Sequence, residues 1–151
     1  MSATSEPALD EAACRAIEWD CTKLINRYTL LNDAADWEAV AALYTEDGRM
    51  ARPSAPDQPT IGRDAILAAF KGRPARAARH VISNIVVDVV SGTEATATSV
   101  IVLYQGNASE TGGLPVRDPK GPLIGTYTDR LRKTAEGWRF AERRGGLDFA
   151  A

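Results

Sequence analysis

Residues 79–105 read RHVISNIVVDVVSGTEATATSVIVLYQ. Two runs rich in β-branched residues, Arg79–Val90 and Glu94–Gln105, flank the turn Ser91-Gly92-Thr93. That arrangement predicts a β-hairpin. Further along, Leu123–Lys133 is the next expected strand, Ala135-Glu136-Gly137 a tight turn, and Trp138–Arg144 the last strand. Between them, Gly106–Pro122 is a polar loop rich in glycine and proline, longer than most connections.

Upstream of the hairpin the periodicity is helical. From Ala8 to Leu31 apolar residues recur as Cys14, Ile17, Cys21, Leu24, Ile25, Tyr28 and Leu31, the stripe of a long amphipathic helix. Asn32 and Asp33 lie where a turn is expected. Asp36 is placed to cap a short second helix running through Val40 and Leu43. Tyr44–Gly48 would end it, and Arg49–Arg52 would be a short extended piece. Three prolines make Pro53–Thr60 a loop. Gly62-Arg63-Asp64 opens a third helix with Ile66, Leu67 and Phe70 buried, stopped by Gly72 and Pro74. Helices first and a meander after them predict an α+β fold: three N-terminal helices packed on a curved, mostly antiparallel sheet. Such a sheet closes into a cone with an internal pocket. The domain is expected over residues 8–144, with tails at 1–7 and 145–151.

At 151 residues and 44% hydrophobic content, the chain suits one domain with its own core. The net charge of -2 and the lack of a like-charge block argue against nucleic acid or an anionic membrane surface as partner. The densest basic stretch, Lys71, Arg73, Arg76 and Arg79, reads as a solvated loop and helix end. No apolar run approaches the ~20 residues that span a bilayer. The opening residues lack a basic stretch followed by an apolar one, so the expected location is cytoplasmic. Cys14 and Cys21 read as small hydrophobes on one helix face. With a single histidine and no CxxC, no zinc site is expected, and acid–base chemistry by an Asp–His pair would need no metal or cofactor.

Several phrases carry a family resemblance. Tyr28-x4-Asp33-x2-Asp36-Trp37 and Leu43-Tyr44-Thr45-Glu46-Asp47-Gly48 resemble the opening helices of SnoaL-like proteins in the nuclear-transport-factor-two-like superfamily. Ile61–Ile66 resembles their third helix, Arg79-His80-Val81-Ile82-Ser83-Asn84 their first long strand, and Gly125–Asp129 and Gly137–Phe140 their last two strands. The resemblance spans Ala8 to Arg144. Scytalone dehydratase, bile-acid 7α-dehydratase and hexachlorocyclohexane dehydrochlorinase share this fold. Each carries an acid and a histidine at the positions that Asp33 and His80 match here. Tyr28 matches a tyrosine of the bile-acid enzyme, and Arg143, or Arg144 with a one-residue shift, matches its arginine. Departures are equally specific. Asn32 stands where scytalone dehydratase has a tyrosine, and Gln105 where it has a second histidine. Gly48–Arg52 contains no acid where ketosteroid isomerase places its base.

These residue types suit proton transfer. Imidazole has an unperturbed pKa of about 6.5. A carboxylate on one ring nitrogen fixes the tautomer, and the other nitrogen is left as the base. Tyr28 could donate a hydrogen bond, and an inward Arg143 could stabilise developing negative charge. Trp37, Asn84, Tyr104 and Tyr127 are expected to line the substrate pocket, Asn84 because it shares a strand face with His80. Each also has a plainer use. Asp33 could serve as a helix-end turn residue, His80 and Tyr28 as core, and Trp37 as an anchor. Asp129 reads as half of a surface salt bridge. Arg143 and Arg144 are adjacent, so on a regular strand only one faces inward.

Two readings follow. One is a cofactor-independent lyase or isomerase, a dehydratase first, acting on a small apolar substrate of steroid, polyketide or aromatic type. The other is non-catalytic: a small β subunit like that of ring-hydroxylating dioxygenases, which the Arg79–Asn84 phrase also resembles, or a ligand-binding module. The resemblance implies a homodimer or homotrimer in either case.

Overall fold

Asp10 accepts a hydrogen bond from the Ala13 N–H at 2.7 Å and so starts the first helix, α1 (Glu11–Asp33). The computed structural model describes residues 8–150. The tail expected over residues 1–7 lies outside them. Helix α1 begins and ends later than the span expected over Ala8–Leu31, because the cap sits at Asp10 and the last turn reaches Asp33. Its buried face is Ile17, Cys21, Leu24, Ile25, Tyr28, Thr29 and Asn32. Burial pushes the Cys21 thiol up to about 12, so it behaves as a hydrophobe.

A turn with Ala35 in the left-handed region (φ 54°) reverses the chain. Asp36 then caps α2 (Trp37–Ala42) by accepting from the Ala39 N–H at 3.2 Å. Tyr44–Gly48 does not merely terminate that helix. The strand β1 occupies all of Tyr44–Ala51. It is followed by β2 (Thr60–Ile61), α3 (Arg63–Lys71), β3 (Ala77–Val89), β4 (Glu94–Asn107), β5 (Val116–Arg117), β6 (Leu123–Thr134) and β7 (Gly137–Leu147). Residues 145–147, expected as tail, thus belong to the last strand, and the loop after β4 folds back as β5 on that strand.

The sheet order is β2-β1-β7-β6-β4-β3. All neighbours are antiparallel except β1 and β7, which run parallel. Helix α1 lies chiefly across β3, and α2 and α3 close the other end of the concave face. No helix among the described residues is long and apolar enough to cross a membrane.

Two β-bulges decide which side chains enter the cone. In β3 the ladder shifts between Ser83 and Val86, and Asn84 adopts φ 52°. In β7 it shifts between Phe140 and Glu142, so Ala141 is the unpaired residue. A bulge resets the alternation of faces. Phe140 and Arg143 therefore both point inward, and both are fully buried.

The core is built around aromatic rings. Tyr28 meets Phe140 edge-on at 5.4 Å and Phe70 at 6.5 Å, while Trp37 stacks on Phe70 at 5.3 Å. Such pairs add ~0.5–1.5 kcal/mol each beyond area burial.

Close strand contact also depends on Gly125, where a Cβ would lie 2.5 Å from the Gly146 carbonyl oxygen. Gly146 itself has nothing within 4 Å of a Cβ. In chemical denaturation, Gly125→Ala is expected to cost about 1–3 kcal/mol by forcing β6 off β7. Gly146→Ala is expected to stay within about 0.5 kcal/mol of the parent.

Candidate active site

Asp33 closes α1 and His80 lies near the start of β3, 47 residues on. The fold brings them into contact. Asp33 Oδ1 lies 2.5 Å from His80 Nδ1. The same carboxylate accepts the His80 backbone N–H, at 2.9 Å through Oδ2 and 3.1 Å through Oδ1. Both side chains are almost fully buried, at 9% and 6% exposure. A ring nitrogen facing a carboxylate oxygen carries the proton, so Nε2 is the unprotonated nitrogen in the neutral ring. Arg79 Nη1 stands 3.7 Å from the other Asp33 oxygen on the solvent side.

Both residues line a cavity of about 510 Å³ inside the cone. Tyr28, Trp37, Ile101, Leu103 and Tyr127 form much of its wall. Asn32 and Gln105, the two positions where the sequence departs from scytalone dehydratase, also face it.

Arg143 reaches the cavity with 1% of its side chain exposed. Its Cζ sits 3.9 Å from the Tyr127 ring centroid, 4.4 Å from that of Tyr28 and 4.7 Å from that of Phe140. Directly across the β6–β7 ladder, Asp129 Oδ1 lies 3.2 Å from Arg143 Nε. None of the three guanidinium nitrogens completes a hydrogen bond within the protein. Burial works against this cation, but Asp129 and the surrounding tyrosines outweigh it and hold its pKa above the ordinary value. Burial raises the Asp129 carboxyl to about 6 despite Arg143. The cavity wall therefore holds a charged, buried guanidinium whose N–H donors lack protein acceptors, and charge interactions strengthen away from bulk solvent.

Tyr28 is held by Tyr44, whose hydroxyl donates to the Tyr28 oxygen at 3.1 Å. That bond leaves the Tyr28 proton free to donate elsewhere. Burial raises the Tyr44 and Tyr127 phenols well above their usual pKa, so both remain neutral donors.

Several sequence expectations need correction. Asn84 does not share the face of His80. The β3 bulge turns it outward, and it is exposed. Tyr104 is on the opposite face of β4 from Ile101, Leu103 and Gln105, and stacks under Arg117 at 5.8 Å outside the cavity. Asp129 forms no surface salt bridge. It is completely buried against Arg143. Arg144 is the outward member of its pair, bonded to Asp57 at 2.7 Å. Arg73, expected in solvent, is half-buried in the cavity wall. Tyr44, read only as the end of a helix, proves to be the support for Tyr28. Among the described residues no group of three His, Cys, Asp or Glu is placed to hold a metal ion.

Comparison with known proteins places these features in context. Residues 16–144 match the family model described as SnoaL-like domain. A candidate scytalone dehydratase from Novosphingobium aromaticivorans is similar in structure, with TM-score 0.78 and 26% identity over 93% of this chain and 89% of that one. An NTF2-like protein with a cystatin-like fold from the same organism gives 0.72 and 28%, over 93% and 88%. ActVI-ORFA from Streptomyces coelicolor, at 0.69 and 21% over 88% and 98%, shares the fold alone. No curated protein matches the chain significantly.

The Asp129 shift carries a pH signature. Its folded value of about 6 exceeds the ordinary value, so the folded chain binds that proton more tightly than the unfolded chain. The stability it contributes is complete below about pH 4 and is lost as pH rises through about 6. The melting temperature of the parent minus that of Asp129→Asn should fall between pH 4 and 6.5 and level off above. A difference that grows over that window contradicts the assignment.

Proposed function

The chain belongs to the SnoaL-like domain family, and from that premise we propose that it is a cofactor-independent lyase, a dehydratase in the first instance. The observation that carries the reading is the 2.5 Å contact between Asp33 and His80 on the wall of a largely apolar cavity. The substrate is a small apolar molecule of aromatic, polyketide or steroid type. Trp37, Tyr127, Ile101 and Leu103 supply the surface against which it packs.

In this reading Nε2 of His80 removes a proton from a carbon next to a carbonyl. The electrons of that C–H bond pass to the carbonyl oxygen as an enolate, then return to form the new carbon–carbon double bond as the neighbouring C–O bond breaks. The imidazolium, stabilised by Asp33, returns a proton to the departing hydroxyl, which leaves as water. Tyr28 donates a hydrogen bond to the carbonyl or to the departing oxygen. Arg143 faces the charge that accumulates on the carbonyl oxygen, and its unfilled N–H groups need no rearrangement to accept it. Asp33 accepts from the backbone N–H as well as facing ring Nδ1, so His80 is held at its main chain and at one side of its ring while Nε2 stays free.

Isomerisation uses the same base. The proton then returns to a different carbon and no bond to oxygen breaks. Product mass separates the two, since a dehydratase product lacks one water and an isomerase product does not.

A turnover screen over hydroxylated aromatic, polyketide and steroid substrates provides the test. On a substrate so identified, His80→Ala and Asp33→Asn are each expected to lower kcat by about 10²- to 10⁴-fold, with thermal melts establishing that the variants fold. Full turnover by His80→Ala would remove the imidazole from the mechanism.

A further inference from the structure

The cavity wall carries four arginines. Arg52, Arg73, Arg76 and Arg143 all line it, and Asp33 is the one acid among its described lining residues. Two of these cations have their counter-charge. Arg143 is paired with Asp129, and Arg76 stands 3.6 Å from Asp118 and donates to the Gln105 side-chain Oε1 at 3.4 Å. Asp33 is engaged with His80 and Arg79.

Arg52 and Arg73 are different. Among the described residues neither has a carboxylate partner. Arg52 donates one bond, to the Ala69 carbonyl at 3.3 Å. Arg73 stacks over Phe70, its Cζ 4.2 Å from the ring centroid, and its Nε is buried without an acceptor. Partial burial and the nearby Arg52 charge both disfavour its cation. Two neighbouring cations, one of them half-buried, are costly unless something negative sits between or beside them. Stacking on Phe70 fixes the Arg73 fork at the edge of the cavity, the geometry that reads planar oxyanions.

We infer that Arg52 and Arg73 form an oxyanion subsite, and that the substrate is amphipathic, with a carboxylate or phosphate group at these arginines and its apolar body extending toward His80. This rests on reading the cavity as the substrate site. It narrows the substrate from any small apolar molecule to a ring or chain bearing an anion at one end. Arg143 is not part of the subsite, because Asp129 already neutralises it.

Binding of 1-naphthoate, 1-naphthyl phosphate and neutral 1-naphthol tests the inference, with Trp37 in the cavity wall as a fluorescence reporter. One or both anions are expected to bind about tenfold or more tightly than naphthol, and added salt should weaken only the anions. The tighter of the two, together with competition by inorganic phosphate, identifies the headgroup. Arg73→Gln should abolish the preference and leave naphthol affinity unchanged, while Arg73→Lys should keep part of it. Equal affinity of anions and naphthol for the parent protein overturns the subsite. An equal loss of all three probes in a folded Arg73→Gln does so too.

Repeating the titration in His80→Ala separates this inference from the catalytic reading. Preference for the anion there, alongside full turnover, overturns the catalytic reading alone. No preference, alongside lost turnover, overturns the subsite alone.

Discussion

A single carboxylate joins the two layers of this molecule. Asp33 ends the helix that roofs the cone, and its oxygens accept both the backbone N–H and the ring Nδ1 of His80 on the floor strand. Charge-assisted bonds of this kind are among the stronger ones available to a protein. Two such donors converging on one carboxylate, the N–H shared between both of its oxygens, fix the distance between helix and sheet at the cavity edge. They also settle the tautomer of the chain's lone histidine. The structural and the chemical roles of Asp33 are therefore not separable by deletion of the side chain, and a shape-preserving amide is the more informative replacement.

The second constraint is electrostatic. The cone buries an arginine and an aspartate completely, and neither completes a hydrogen bond within the protein. Buried ion pairs often fail to offset their desolvation. Here three aromatic faces surround the guanidinium within 5 Å of its centre, which partly replaces the lost water. What remains is a donor group without acceptors, facing an apolar hollow. A protein selected for stability alone gains little from such a group. One that must receive a negative oxygen at that point gains a preorganised partner.

The fold was legible from periodicity. Helical spacing over Cys14–Leu31 and β-branched runs over Arg79–Gln105 placed helices before strands, and the ordered phrases from Tyr28 to Phe140 pointed to the family. Asp33 and His80 stood at matching positions, and the coordinates put them in contact. What the chain did not disclose follows from local irregularity. Alternation along β3 placed Asn84 beside His80, but one residue in a left-handed conformation shifts every side chain after it. Simple hairpin pairing about Ala135–Gly137 would set Asp129 against Glu142, and only the extra residue in β7 sets it against Arg143. Arg73 sits in a stretch whose composition reads as solvent-exposed, and the ring that holds it is three positions earlier on a helix. The parallel pairing of β1 with β7 has no local signal at all. It is a long-range consequence of closing the cone.

The bulge at Ala141 makes the chemistry of the hollow a matter of counting. Pairing Ala141 regularly against Arg130, with no bulge, would continue simple alternation beyond Phe140 and turn Glu142 and Arg144 toward the interior and Arg143 out. No side chain would need to change identity. A one-residue slip of register in this strand thus offers lineages of this fold an abrupt route to a differently charged cavity, one that substitution-based comparison of the same positions would overlook.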